Sequence, residues 1–262
     1  MPSKQVVSTL RRWGAVILLL RVVNSLVVGT HFTPDEYWQG PEIAHSMVFG
    51  YGHRCVCCRP PDRWKIRGTH LLLCGIRTWE WLPGARIRGF AHPAIYACIY
   101  AILQALVRAC GVWRFHALWG LLTAFFTQGV DTGFSCWAGP RVLHGLLLGA
   151  QDCAVLVLAS TLFGDRAGRY ALLAHATSWF VAYCGVRTYS NCVEAFLCTL
   201  CLAVWPWGRV YTNVSRARLS VCIALAAVSV VMRPTAALLW APLFAHYLWY
   251  EALWCTKHWP AW

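Results

Sequence analysis

Long apolar runs separated by short polar stretches constrain this chain more than any other sequence feature. The chain is 58% hydrophobic and only 13% charged, whereas soluble domains carry about 25% charged residues. A run of roughly 20 apolar residues can cross a bilayer as a helix. The runs cover residues 13–30, 93–107, 116–130, 142–163, 170–186, 192–207 and 219–250. The run at 219–250 is long enough for two helices, with a natural break at Arg233-Pro234. The sequence therefore predicts an all-α, polytopic membrane protein with about seven or eight apolar helices.

The charged residues are mostly cations, and the formal net charge is +13. The arginines are scattered between the apolar runs and form no basic face, so we predict a lipid bilayer as partner and no nucleic acid. Lys4, Arg11 and Arg12 precede the first run. The positive-inside rule therefore predicts a cytosolic N-terminus and a lumenal loop over residues 30–91. The arginines either set this topology or bind a phosphate-bearing substrate.

An acidic motif, Pro34-Asp35-Glu36-Tyr37-Trp38-Gln39, directly follows the first apolar run. Proline can open a helix at its first turn, where acidic side chains interact favourably with the helix dipole. Consecutive residues of a helix point about 100° apart, so only one of the two acids is expected to face a given substrate atom. Two interpretations remain: a capping pair at a helix start, or a carboxylate that takes a proton from a sugar hydroxyl.

Several charges lie within or beside the apolar runs: Arg21, Asp152, Arg187, Glu194 and Arg233. Charges inside a membrane segment usually face a bundle interior or a polar cavity and so indicate a functional site, although internal ion pairs and snorkelling side chains are alternatives. Arg187, Asn191 and Glu194 are spaced i, i+4 and i+7, which predicts one shared helix face. They would line a substrate cavity, or Arg187 and Glu194 would form a buried pair. Arg233 precedes Pro234 at a predicted helix boundary, and we interpret it as a structural residue that orients the chain there.

Five segments carry a family resemblance. They are FTPDEYWQGPEIAHSMVFGYGH at 32–53, TWEWLPGARIRGFAHPAIYA at 78–97, GPRVLHGLLLGAQD at 139–152, SWFVAYCGVRTYSNCVEAFL at 178–197 and VMRPTAALLWAPL at 231–243. Together they resemble the GPI mannosyltransferase III family (PIG-B type), whose members are dolichol-phosphate-mannose-dependent enzymes of the GT-C membrane fold. PDEYWQ combined with RTYSNCVEA and RPTA is specific, whereas an isolated acidic pair would be weak.

The resemblance implies a reaction and its substrates. Mannose would pass from dolichol phosphate mannose, a dolichol-linked sugar donor, to the second mannose of a GPI glycolipid acceptor. The new linkage would be α-1,2, and the enzyme would be a multi-pass protein of the endoplasmic reticulum membrane. The resemblance assigns the base to Asp35, with Glu36 as helper or alternate. It implies no metal and no other cofactor.

The resemblance also suggests residues that bind the substrates. The leaving phosphate needs cations or hydrogen-bond donors, for which Arg86, Arg88 and His92 are the local candidates and Arg88 the preferred one. Arg88 could instead anchor the chain at the membrane interface. The further substrate-binding candidates are Asp152, Arg187, Asn191 and Glu194.

Two departures from the family pattern qualify this prediction. Residues 54–77 form an insertion rich in cations and cysteines, which we interpret as a gene-model artefact or a lineage-specific lumenal loop. Its closely spaced cysteines are poorly arranged for a closed zinc site, so no metal is predicted. The chain is also about half the expected family length, so residues 1–262 are predicted to form one membrane domain that is an incomplete, GT-C-like N-terminal half.

An inactive fragment or membrane scaffold is the first alternative to the predicted enzyme. A transporter is the second and weaker alternative. The binding charges of a transporter should lie near the membrane midplane, whereas the acidic motif of this chain is expected at the lumenal end of the first apolar run.

Overall fold

The computed structural model describes residues 3–30, 35–49, 89–110, 134–207 and 216–258. All regular structure in these residues is helical, which confirms the predicted all-α class. The helices are α1 (Lys4–Val27), α2 (Asp35–Trp38), α3 (Pro41–Phe49), α4 (Ala91–Cys110), α5 (Phe134–Phe163), α6 (Asp165–Thr177), α7 (Trp179–Cys184), α8 (Ser190–Val204), α9 (Arg216–Met232), a 3₁₀ turn (Pro234–Ala236) and α10 (Ala237–His258).

One described helix is long and apolar enough to cross a membrane, the Ala138–Phe163 part of α5. Two shorter apolar helices span Ala91–Leu106 and Ser190–Val204. The apolar run at 116–130 lies outside the described residues, as does the insertion at 54–77. The number of seven or eight apolar helices therefore stays a prediction.

The predicted helix at 170–186 is wrong, because two helices cover this run. Helix α6 begins after Gly164, whose φ of 91° is a conformation that glycine adopts readily. It ends at Thr177, and Ser178 is extended with φ −63° and ψ 118°. The Ser178 hydroxyl then accepts a hydrogen bond from the Val181 amide at 3.5 Å. Serine is a favoured N-cap residue, so it starts the short helix α7 instead of continuing α6.

The predicted break at Arg233-Pro234 is confirmed. Helix α9 ends at Met232, and Arg233 is extended with φ −148° and ψ 118°. Steric clash with the proline ring disfavours the helical conformation in the preceding residue, which explains this stop. Pro234 opens the 3₁₀ turn, and α10 then continues to His258.

The described chain belongs to two compact units. The first comprises residues 1–18, 147–181 and 193–262, and the second comprises residues 19–146 and 182–192. The core of the first unit contains Trp205, which lies 5.1 Å from Phe244 and 6.4 Å from Trp240 between ring centroids. The acidic motif belongs to the second unit. The prediction of a single domain over 1–262 stays a prediction.

Two glycines of α5, Gly145 and Gly149, permit a close approach to α1. In the second unit, a Cβ at Gly145 would lie 2.8 Å from the Arg21 carbonyl oxygen and 3.0 Å from the Val22 Cα. In the first unit, a Cβ at Gly149 would lie 3.0 Å from the Leu18 Cα. The Gly-Leu-Leu-Leu-Gly spacing is the small-residue pattern that lets membrane helices pack closely. The sequence thus contained a packing signal that our predictions did not use.

Candidate active site

The acidic motif lies on a short helical segment between two longer helices. Helix α1 ends at Val27, α2 begins at Asp35, and α3 follows from Pro41. This confirms the prediction that the two acids open a helix. The Glu36 side chain is fully buried, whereas the Asp35 side chain lies outside the described part of the structure.

Two buried arginines hold the Glu36 carboxylate. Arg141 Nη2 lies 3.0 Å from Oε1, and Arg187 Nη1 lies 2.8 Å from Oε2. The arginine side chains are 2% and 0% exposed, respectively. Each carboxylate oxygen therefore has its own guanidinium partner, and the bonds are of the strong, charge-assisted kind. We call these three residues the arginine clamp.

The arginine clamp also binds the backbone on both sides of the motif. Arg141 donates to the carbonyls of Val28 and Thr30. Arg187 donates from Nη1 to the Thr30 carbonyl at 2.7 Å and from Nε to the Tyr183 carbonyl at 3.1 Å. These bonds connect the chain leaving α1 with α5 and with the end of α7.

Further contacts fix the segment that carries Arg187. The Arg187 guanidinium lies 4.2 Å from the ring centroid of Tyr183, a cation–π geometry. The Thr188 hydroxyl donates to the Glu36 carbonyl at 2.8 Å. Both the side chain and the backbone of Glu36 are thus attached to the segment between α7 and α8.

A second buried polar network consists of His92 and Tyr96 on α4 and His144 on α5, and we call it the histidine–tyrosine network. The Tyr96 hydroxyl lies 2.8 Å from His92 Nε2 and 2.6 Å from His144 Nε2. A phenol has one proton, so it donates to one imidazole and accepts from the other, provided both rings are neutral. No described residue hydrogen-bonds His144 Nδ1, which is buried. A protonated Nε2 on His144 is favoured, because the other tautomer would bury an unpaired N–H donor.

Gly40 joins the motif to this histidine–tyrosine network. A Cβ at Gly40 would lie 2.8 Å from Tyr96 Cε2 and 2.9 Å from His92 Cε1. Any larger residue must therefore displace buried rings or the backbone that follows the motif. The motif is held by the arginine clamp at Glu36 and by ring packing at Gly40.

We expect Gly40→Ala to destabilise the protein by about 1–3 kcal/mol, the usual cost of overpacking a well-packed interior. The measurement is the thermal midpoint of the purified chain in detergent. Gly14→Ala is the control, because nothing lies within 4 Å of a Cβ at that helical glycine. An equal midpoint for both variants would contradict the close packing at Gly40.

The structure separates the predicted residues Arg187, Asn191 and Glu194. The shared helix face is wrong, because α8 begins only at Ser190 and leaves Arg187 in the preceding non-helical segment. The alternative Arg187–Glu194 pair is also not formed: Arg187 pairs with Glu36, and Glu194 pairs with Arg233 at 3.2 Å. Asn191 is exposed on the first turn of α8.

The remaining predicted site residues lie in different surroundings. Arg88 lies outside the described residues, and His92 is buried in the histidine–tyrosine network. In the first unit, Asp152 is fully buried, and His175 Nδ1 lies 2.5 Å from its Oδ1. Glu194 also accepts a hydrogen bond from Thr235 at 3.1 Å, which ties α8 to the 3₁₀ turn after Arg233. The substrate-binding roles of all these residues stay predictions.

Sequence reasoning missed three buried members of the site: Arg141, Tyr96 and His144. Arg141 and His144 are three residues apart on α5 and so share one helix face. Both lie within the stretch GPRVLHG, which carried the family resemblance. The signal was a charged and a polar side chain at helical spacing at the start of the apolar run 142–163, a pattern that indicates an inward-facing polar site.

The described residues contain no group of three or more His, Cys, Asp or Glu side chains that could hold a metal ion. The reaction without a metal or other cofactor stays a prediction, since neither the Asp35 side chain nor residues 50–88 are described.

Comparison with known proteins identifies the family of this chain. The profile of the Alg9-like mannosyltransferase family matches residues 13–55 and 62–257. The chain belongs to this family. The match includes the acidic motif, the arginine clamp and the histidine–tyrosine network. No solved structure matches significantly.

Curated relatives of this mannosyltransferase-family chain point to one group of enzymes. The GPI alpha-1,2-mannosyltransferase 3 of Xenopus laevis is 33% identical over 228 residues, which are 87% of this chain and 33% of the relative. The protein of the same name from Mus musculus is 32% identical over 88% of this chain and 33% of the relative. The GPI mannosyltransferase 3 of Yarrowia lipolytica is 31% identical over 88% of this chain and 36% of the relative. The resemblance to GPI mannosyltransferase III is confirmed, and the chain spans about a third of the length of these relatives.

Proposed function

We propose that this chain transfers mannose from dolichol phosphate mannose to the second mannose of a GPI precursor, forming an α-1,2 linkage. The observation that carries the proposal is the acidic motif at the start of α2, held by the arginine clamp in a chain of the Alg9-like mannosyltransferase family. The names of the curated relatives supply the acceptor class and the linkage.

The proposed reaction is a single inverting displacement. The acceptor hydroxyl oxygen attacks the anomeric carbon of the donor while the bond from that carbon to the phosphate oxygen breaks. The dolichyl phosphate leaves with the bonding electron pair, and the acceptor proton passes to the carboxylate of Asp35. Glu36 is buried against two arginines, so we assign the base to Asp35 alone.

The leaving phosphate develops negative charge that cations and N–H donors would stabilise. Arg88 and His92 are proposed for this role. Hydrogen bonding to Tyr96 fixes the ring orientation of His92, so its second ring nitrogen has a set direction. Asp152, Asn191 and Glu194 are proposed to contact the lipid donor or the acceptor. Arg187 contributes by holding the motif.

We place the reaction at the lumenal side of the endoplasmic reticulum membrane, in a multi-pass protein. The apolar helix Ala138–Phe163 and the shorter apolar helices at Ala91–Leu106 and Ser190–Val204 support the membrane setting. The N-terminal cations Lys4, Arg11 and Arg12 favour a cytosolic N-terminus. The proposed topology requires α1 to cross the membrane and so to bring the acidic motif to the lumenal side.

The test is expression of this chain in cells that lack the transfer of the third GPI mannose. We expect GPI-anchored proteins to return to the cell surface, and microsomes to transfer labelled mannose from dolichol phosphate mannose to a glycolipid acceptor with two mannoses. The new mannose should be released by an α-1,2-specific mannosidase. A chain that is stably present in the membrane but gives no labelled product would overturn the proposal and favour the inactive scaffold. Deleting residues 54–77 in a parallel sample tests whether the insertion is dispensable.

A further inference from the structure

We infer that Glu36, Arg141 and Arg187 act together as a positioning clamp for the acidic motif, and that Glu36 takes no proton in the reaction. The positional role rests on the contacts of these three residues. The catalytic consequence rests on the proposed function. Glu36 thereby changes from a helper or alternate base to a positioning residue, and Arg187 from a substrate-binding to a positioning residue.

The first argument is access to Glu36. A general base must come within hydrogen-bond distance of the hydroxyl from which it takes the proton, or reach it through one water. The Glu36 side chain is 0% exposed, and both of its oxygens contact guanidinium groups at 2.8–3.0 Å. Substrate would have to displace a buried arginine to reach this carboxylate.

The second argument is the sequence distance that the clamp bridges. Arg141 and Arg187 are 105 and 151 residues away from Glu36, respectively. Helix α2 has only four residues, and a single turn is too short to be stable by itself. Its position must therefore come from tertiary contacts, and the described contacts of Glu36 supply two ion pairs and the Thr188 hydrogen bond.

The third argument is that Glu36 and Asp35 are neighbours on one helical turn. Consecutive positions of a helix lie about 100° apart around its axis, so position 35 falls on a different side of the turn from the anchored position 36. Attachment of both the Glu36 side chain and its carbonyl fixes the rotation of this turn. The clamp thus sets the backbone on which the proposed base lies.

The charges of the clamp make the inference testable by a double-mutant cycle. In the wild type, one carboxylate lies between two guanidinium groups. Glu36→Gln leaves two buried cations facing each other without that anion, which is the costly way to break a buried ion pair. Adding Arg141→Gln removes one of these cations, and Arg187 keeps its bonds to the Thr30 and Tyr183 carbonyls. Arg141→Gln should therefore partly restore the local structure that Glu36→Gln disrupts.

Amide hydrogen exchange in the full chain, purified in detergent, measures this coupling without requiring activity. We expect Glu36→Gln to speed exchange at residues 28–30, 36–40 and 183–189 by at least about tenfold, with exchange in α9 and α10 unchanged, because local opening follows local contacts. The Glu36→Gln/Arg141→Gln chain should recover at least half of this effect on a logarithmic scale. Asp165→Asn is the control: it neutralises a half-buried carboxylate of the first unit that accepts a hydrogen bond from Ser3, and it should leave exchange at these residues unchanged. Unchanged exchange in Glu36→Gln, uniform acceleration along the chain, or strict additivity of the two substitutions would overturn the clamp.

The transfer assay then separates a positioning residue from a base. We expect Glu36→Gln to lower kcat by at least about a hundredfold with little change in the KM for the donor, and the double variant to regain at least about tenfold, because removing an arginine can restore position but cannot replace a lost base. A double variant that regains its exchange protection but remains as inactive as Glu36→Gln would assign the proton to Glu36 and overturn this part of the inference. If the wild-type chain transfers no mannose, the proposed function fails, whereas the exchange experiment still decides whether the clamp exists.

Discussion

Asp35→Asn is expected to lower mannosyl transfer by about 10²–10⁴-fold, the usual contribution of a positioned general base. Asparagine keeps the size and polarity of the side chain but cannot accept the hydroxyl proton at neutral pH. Helix α2 should remain in place, because its described attachments are made by Glu36 and by the packing at Gly40. The variant should therefore be as abundant and as thermally stable as the wild type. The measurement is labelled mannose transfer in microsomes that contain equal amounts of each protein.

Asp35→Glu is the matched comparison, because it keeps the carboxylate but displaces it by one methylene group. We expect it to retain more activity than Asp35→Asn and to preserve the pH dependence of transfer, which Asp35→Asn should change. Surface rescue by Asp35→Asn at wild-type abundance would remove Asp35 from the base role. Equal loss of abundance and activity would instead show that Asp35 stabilises the fold.

Local patterns in the sequence predicted local features of the fold. Pro34 followed by two acids predicted a helix start, and α2 begins at Asp35. Arg233-Pro234 predicted the break that separates α9 from the 3₁₀ turn. Both signals work because the steric and capping preferences of a few neighbouring residues decide the outcome.

The partners of the site could not be predicted in the same way. The face shared by Arg187, Asn191 and Glu194 assumed a helix through residues 185–189, where the chain instead forms a non-helical segment. Arg187 therefore pairs with Glu36, which is 151 residues away. No helical spacing within one run contains this information, since it depends on tertiary packing. Arg141 was missed for the same reason, although its position directly before the apolar run 142–163 indicated a polar partner.

Gly145→Leu is expected to cost more stability than Gly40→Ala. A Cβ at this position would lie 2.8 Å from the Arg21 carbonyl oxygen, 2.9 Å from Ser25 Oγ and 3.0 Å from the Val22 Cα. Two of these three atoms belong to the backbone of α1, so a side-chain rotation cannot relieve the clash. A leucine side chain must force α1 and α5 apart locally, which should cost about 3 kcal/mol or more, at the upper end of overpacking effects.

The same substitution should also weaken the arginine clamp. Arg141 precedes Gly145 by about one turn of α5 and donates to Val28 and Thr30, directly beyond the end of α1. Separation of the two helices would stretch these bonds. We therefore expect Gly145→Leu to lower the thermal midpoint and also to speed amide exchange at residues 28–30 and 36–40.

Gly14→Leu is the control for Gly145→Leu, because a Cβ at Gly14 meets nothing within 4 Å. Both substitutions replace a helical glycine, so both gain about 1 kcal/mol of helix propensity. The difference between their thermal midpoints in detergent therefore reports the packing of α1 against α5. Gly145→Ala should give an intermediate loss, since it adds only the Cβ. A midpoint for Gly145→Leu at or above that of Gly14→Leu would contradict the close approach of the helices, and with it the support that α5 gives to the acidic motif.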